Sequence, residues 1–246
     1  MKLPSIIDSF DSLKVLNAPL HLAIGVFDGV HLGHKAVIGP AVLASQKSGG
    51  VSAVLTFDPH PSRLFSPKEP TDLILPISVK VNVLQSMGVD IVIRKHFDRA
   101  YASTPATDFL ISLKKVLPTL AAVYVGSNFR FGKGRVGNVQ TLIKSAQALG
   151  LDVFSVDRLH FGGAPISSTR IRKELKKGSI PNVNALLGYN YFTRGSVITG
   201  EGLGSRIGFP TLNLNWNPEC EPRHGVYYVR FHSIDSSTWI YGVANY

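Results

Sequence analysis

Two histidines, His31 and His34, stand three residues apart just after an apolar run and a glycine-bearing turn. Residues 20–26 read as a buried strand, and the turn Gly25-Val26-Phe27-Asp28-Gly29-Val30 leads into His31-Leu32-Gly33-His34, where a helix should begin. Side chains three apart share a helix face. The free N–H groups and dipole of a helix N-terminus attract anions. Imidazoles placed there can donate to phosphate oxygens and help neutralise the charge that builds up during transfer. Asp28 is positioned to cap the helix or hold the loop, and Gly25, Gly29 and Gly33 let backbone and ligand approach closely. H-x-x-H also suits a metal-binding pair or two surface histidines; the preceding strand and the glycines favour phosphate.

A second constellation lies at 166–172, Ile-Ser-Ser-Thr-Arg-Ile-Arg, ahead of a helix expected over 170–177. Its hydroxyls can cap that helix and hold a phosphate together. Arg172 or Arg170 can clamp a leaving pyrophosphate. A plain N-cap with a basic solvated face is the other reading of this stretch.

These groups need a scaffold, and the first two-thirds of the chain alternates strand-like and helix-like segments. Strands are expected at 20–26, 51–57, 89–94, 121–125 and 151–156. Helices are expected at 34–47, 76–87, 106–117 and 139–149, three of them followed by a glycine stop. The alternation predicts an α/β fold with a parallel sheet covered on both faces. Its strands read as near-continuous apolar runs, as doubly covered strands should. Both chemical segments then sit at carboxyl ends of strands, where ligands bind. From about Asn184 the pattern turns β-rich with no clear helix: strands are expected at 194–199, 225–231 and 238–245, with a glycine loop at 200–204.

Four segments in order, G-x-F-D-G-V-H-x-G-H (25–34), T-F-D-P-H-P (56–61), G-x-N-F-R-F-G (126–132) and I-S-S-T-R-I-R (166–172), resemble the bacterial bifunctional riboflavin kinase/FAD synthetase family. The H-x-G-H element alone indicates only the wider nucleotidyltransferase superfamily. The resemblance implies a Rossmann-like nucleotidyltransferase domain over 1–184 that transfers AMP from ATP to FMN, followed by a partial all-β riboflavin-kinase-like barrel over 185–246. It implies that His31 and His34 are the catalytic pair on the ATP phosphates. The nucleotide would lie along Gly25, Phe27, Asp28, Gly29 and Gly33, with Ser167, Ser168, Thr169 and Arg172 on the other side of the phosphate tail and Mg²⁺ bridging the phosphates. Phe57, Pro59, His60 and Pro61, with Asn128, Phe129 and Arg130, would shape the FMN side. Phe129 and Phe131 read equally well as core packing. Position 128 is Asn where the family commonly has Asp, which removes a charge and keeps hydrogen-bonding capacity.

In the second module, Gly-Phe-Pro-Thr-Leu-Asn (208–213) resembles the P-T-x-N element of riboflavin kinases. Thr211 and Asn213 would then bind Mg²⁺ and ATP phosphates near the loop glycines Gly200 and Gly204. A turn between strands is the generic alternative. The family's kinase module continues past the motif present here and supplies a catalytic glutamate. No residue of this chain takes that place by motif, so FAD synthetase chemistry is expected and competent riboflavin kinase activity is not.

The formal charge of +10 points to anionic partners without choosing among them. Lys and Arg are scattered, so small nucleotides and flavins are expected rather than nucleic acid. Another small nucleotidyltransferase, or a basic nucleic-acid-binding protein, remains as an alternative. The single cysteine, Cys220, excludes an internal disulfide or a cysteine-based metal cluster. With no apolar run of membrane-spanning length and no signal-peptide pattern at the N-terminus, a reduced cytoplasmic setting without a membrane partner is expected.

Overall fold

The structure is a computed structural model that describes residues 6–201, 203–206, 208–209, 211–236 and 238–246. The chain runs β1 (Ile6–Ile7), β2 (Leu20–Ile24), α1 (Leu32–Ser48), β3 (Val51–Asp58), α2 (Ser62–Phe65), α3 (Ile77–Ser86), β4 (Ile91–His96), α4 (Arg99–Ala102), α5 (Phe109–Val116), β5 (Leu120–Gly126), α6 (Val139–Gln147) and β6 (Asp152–Val156). There follow β7 (His160–Phe161), β8 (Ala164–Pro165), α7 (Ser168–Lys177), α8 (Ile180–Leu187), β9 (Ser196–Ile198), α9 (Leu203–Arg206), β10 (Asn213–Asn215), β11 (Val226–Phe231) and β12 (Ile240–Asn245).

Six parallel strands form one sheet in the order β1-β4-β3-β2-β5-β6. The chain steps outward from β2 to β3 and β4, then returns across β2 to continue through β5 and β6. This reversal leaves a crevice at the carboxyl ends of β2 and β5, the place where such sheets bind ligands. Residues alternate between the two faces of a strand. Leu20, Leu22 and Ile24 pack with Leu55, Ile93 and Val123 against Phe109, Leu110 and Leu142 of α5 and α6. Ala23, Val54, Val92 and Ala122 face the opposite core, built with α1, α3, α7 and α8. Every residue of β2 is therefore buried, which explains an apolar run broken only by His21, whose ring nitrogens meet Tyr124 Oη and Ser48 Oγ.

Three expectations need correction. The fifth strand of the expected set, β6, is an open sheet edge rather than a doubly covered strand: Phe154 is 47% exposed and stacks on Tyr124. The two-residue strand β1 also joins the sheet, pairing with β4, and is too short to leave a sequence pattern. The chain from about Asn184 on is not purely β. Helix α8 runs across 184/185, and its Val183, Leu186 and Leu187 are buried in the first core. It is short and apolar, a pattern that a strand shares.

After α8 the strands are antiparallel, in two separate pairs, β9–β10 and β11–β12, consistent with part of a small barrel. The glycine loop expected at 200–204 gives way to a helical turn, α9, at Leu203; Gly202 lies outside the described residues. No helix among the described residues is long and apolar enough to cross a membrane.

Candidate active site

Between β2 and α1 the backbone takes conformations that side-chain-bearing residues rarely adopt. Phe27 and Val30 have φ of 51° and 37°, and Gly29 has 79°. Such strain persists only where the surroundings over-determine it. Here the loop's carbonyls are engaged from behind. The Val26 carbonyl accepts from Lys80 Nζ at 3.0 Å and Thr56 Oγ1 at 2.9 Å, the Asp28 carbonyl from Ser168 Oγ at 2.9 Å, and the Gly29 carbonyl from Tyr189 Oη at 2.7 Å. Gly25 is required by contact: a Cβ there would lie 2.8 Å from the Phe27 ring.

His31, not Asp28, caps α1. Its Nδ1 accepts from the His34 amide at 3.2 Å, so the neutral ring carries its proton on Nε2, free to donate. The His34 ring stacks on His31, with centroids 3.5 Å apart and planes inclined by 17°, and the edge of Phe27 packs at 5.2 Å. His34 Nδ1 is buried with no hydrogen-bond partner among the described residues, an orphaned polar atom of the kind a ligand satisfies. Burial pushes His31 down to about 4 and His34 well below the ordinary histidine range. Both rings are thus neutral at pH 7. They can donate hydrogen bonds to a phosphate but bring it no charge, which revises the charge-neutralising role expected of them.

The charge comes from elsewhere. Lys80 on α3 is only 6% exposed and sits behind the loop, donating to Val26 O and Thr56 Oγ1 at 3.0 Å each. Burial lowers it to about 8, with Asp28 and Asp58 pulling the other way, so it remains mostly protonated at neutral pH. Arg172 is tied to Asp28 by a 2.7 Å ion pair and to the Asp72 carbonyl at 2.7 Å. Asp28 is 4% exposed and also accepts from the Ile74 amide at 3.0 Å. Burial pushes its carboxyl above the ordinary aspartate range, and Arg172, Lys80 and the Ile74 amide pull against that. Asp28 is paired with Arg172, while Lys80, which makes no ion pair among the described residues, adds a buried cation behind the histidines.

The histidines, Asp28 and Arg172 line a cleft of about 840 Å³, with Lys80 behind its wall. Of the residues expected in the adenylyl-transfer site, all line it except Gly29 and Pro59. Gly29 serves the loop's geometry, and Pro59 follows the end of β3. Ser167 caps α7 by accepting from the Arg170 amide, while Ser168, Thr169 and Arg172 face the cleft. Arg170 turns away and donates to the Phe161 and Ala164 carbonyls, so the clamp left open between two arginines falls to Arg172. Asn128 lines the cleft beyond β5. Phe129 is partly buried at the wall and Phe131 is 6% exposed core.

Sequence reasoning missed much of the opposite wall. Phe57, Phe97 and Tyr101 form a cluster with ring centroids 5.4–5.9 Å apart, and Phe65 joins through Phe97 at 5.9 Å. Phe97 and Tyr101 follow β4, so the rule that ligands sit at carboxyl ends would have found them. Lys80 carried a signal too: it shares a helix face with Ile77, Val81 and Leu84.

In the second module Thr211 and Asn213 are exposed. A Cβ on Gly204 would lie 2.9 Å from Thr211 Cγ2, and one on Gly200 would collide with the Asn213 amide. The four expected kinase-like residues are thereby neighbours.

Residues 14–170 match the family model for FAD synthetase, and residues 187–246 match that for riboflavin kinase. The chain belongs to the bifunctional riboflavin kinase/FMN adenylyltransferase family. Relatives of that description are 37% identical in Listeria monocytogenes (85% of this chain, 67% of the relative), 36% in Bacillus subtilis (89% and 69%) and 34% in Escherichia coli (91% and 71%). A solved Streptococcus pneumoniae structure described as a macrolide-efflux protein shares the fold, with TM-score 0.80 at 23% identity over 99% of this chain and 85% of that one. As a member of this family the chain is an FMN adenylyltransferase (FAD synthetase) with a riboflavin-kinase segment behind it. The stacked histidines, Lys80 and the aromatic wall all fall within the FAD synthetase match; Arg172 lies two residues past its end.

Proposed function

We propose that the 840 Å³ cleft is where AMP passes from ATP to FMN, and that residues 1–184 carry this step while 185–246 serve as the kinase-like module. An FMN phosphate oxygen attacks the α-phosphorus of ATP, the bond from that phosphorus to the β-phosphate bridging oxygen breaks, and pyrophosphate leaves with the electron pair. A phosphate monoester is already ionised near neutral pH, so the attack needs no general base. That suits a pair of neutral histidines. Their part is to donate hydrogen bonds to phosphate oxygens from a fixed geometry, while the buried charge of Lys80 offsets part of the negative charge.

The observation that carries the reading is the orphaned, buried His34 Nδ1, stacked on His31 at a helix N-terminus that opens onto an aromatic wall. The phosphate tail fits the histidine end with Ser168, Thr169 and Arg172. An isoalloxazine ring fits the Phe57, Phe97 and Tyr101 end together with His60, Pro61, Phe129 and Arg130.

Mg²⁺ bound to ATP would spread the charge of the departing phosphates. In the adenylyl-transfer cleft the oxygens of Asp28 are already taken by Arg172 and Ile74, so among the lining residues the Asp157 carboxylate and the Thr169 hydroxyl would be left to hold the ion. In the second module Thr211 and Asn213 offer the hydroxyl and amide oxygens that a hard cation accepts.

Product analysis tests the proposal. Purified chain with FMN, ATP and Mg²⁺ should yield FAD and pyrophosphate in equal amounts; consumption of ATP without FAD would overturn it. Riboflavin in place of FMN reads the second module, where FMN as the first product assigns kinase chemistry to 185–246.

A further inference from the structure

One carboxylate of the second module ties together the two lips of the cleft. Glu219 Oε2 accepts from the Leu73 amide at 3.0 Å and also pairs with the Arg63 guanidinium. The next residue completes the clamp: the Cys220 amide donates to the Leu73 carbonyl at 3.2 Å, and the Cys220 side chain is fully buried in the first module's core. Both backbone polar groups of Leu73 are therefore held by residues 219–220.

Leu73 sits between the two residues that hold the phosphate side. The Asp72 carbonyl takes Arg172 Nε, and the Ile74 amide holds Asp28. Arg63 belongs to α2, which starts just after His60 and Pro61 and ends at Phe65, all three lining the other end of the cleft. A shift of Glu219 thus moves the phosphate wall and the aromatic wall relative to one another.

We propose that Glu219 is a positioning residue for adenylyl transfer, acting from the second module to fix the distance between the wall that holds ATP and the wall that holds FMN. The proposal rests on the adenylyl-transfer reading above. Transfer between two bound substrates is steeply sensitive to their separation, and a misplacement of about 1 Å costs on the order of a hundredfold. Glu219 and Arg63 are partly exposed, and exposed ion pairs contribute little to stability, so the effect is on alignment rather than on folding.

The test compares E219A and E219Q in the full chain. E219A should lower kcat for FAD formation roughly tenfold, with the melting temperature unchanged and the separate affinities for ATP and FMN within about twofold of wild type. E219Q keeps an oxygen to accept from the Leu73 amide and should recover most of the rate. Wild-type kcat in E219A would overturn the role. So would a parallel loss of melting temperature and of both affinities in the two variants, since that marks a merely structural contact. A wild-type chain that made no FAD would instead remove the adenylyl-transfer reading itself, and this role with it.

Discussion

Replacing Lys80 by Met should make the protein more stable and less active. Lys80 is buried, and the fold lowers its pKa from 10.5 to about 8. A lowered pKa in a base means that the folded state disfavours the proton. The penalty is fully present below about pH 8, fades as pH rises, and is gone above 10.5. By linkage it amounts to about 3 kcal/mol at pH 7. Methionine has similar length and carries no charge to desolvate. Against this gain stands the loss of two hydrogen bonds, to Val26 O and Thr56 Oγ1. Thr56 still donates to Val26 O, so both oxygens keep one hydrogen bond and the loss is about 1 kcal/mol. The net expectation at pH 7 is a gain of about 2 kcal/mol, or roughly 5 °C in Tm. The advantage should shrink as pH rises toward 10. Turnover should move the other way, by on the order of a hundredfold, because the buried cation behind the phosphate loop is gone. Urea unfolding at pH 7 and 9.5 beside an FAD-formation assay measures both. A K80M protein that is destabilised at pH 7 would refute the reasoning, as would one that turns over normally.

His34→Ala should cut FAD formation by orders of magnitude and leave FMN binding largely intact, read by flavin fluorescence on titration; normal turnover would remove the assigned role. Arg172→Met leaves Asp28 buried without its cation, an expected loss of about 3 kcal/mol in urea unfolding, and adding Asp28→Asn should recover part of it. Acid should destabilise the fold. Burial pushes His31 and His60 down to about 4 from the ordinary histidine value of about 6.5, and His34 well below that ordinary value. The unfolded chain therefore binds more protons between pH 4 and 6.5, and stability falls as pH falls through that window. Asp28, pushed upward, opposes this with one group against three. Urea midpoints should drop from pH 7 to pH 5, and less steeply in His31→Asn.

Most strands and helices of the first module were legible because period and punctuation agree there. The mostly apolar run of β2 and the glycines after α1, α3 and α6 are local signals. Helix α8 was not legible, since eight apolar-rich residues fit a strand or a helix and only the surface they cover decides. The motif residues of the site were legible by type and order. Their division of labour was not.

The sequence by itself determined the parallel α/β scaffold, the family, and the segments that meet at the cleft, because strand–turn–helix patterns and motif order are properties of neighbours along the chain. The tertiary structure alone decided which groups carry charge. His31 and His34 are neutral because they are stacked and buried, Asp28 is spent on Arg172 and Ile74, and Lys80 supplies a buried cation from 46 residues beyond His34. Protonation follows burial and opposing charges, and both are set by residues brought together from distant parts of the chain.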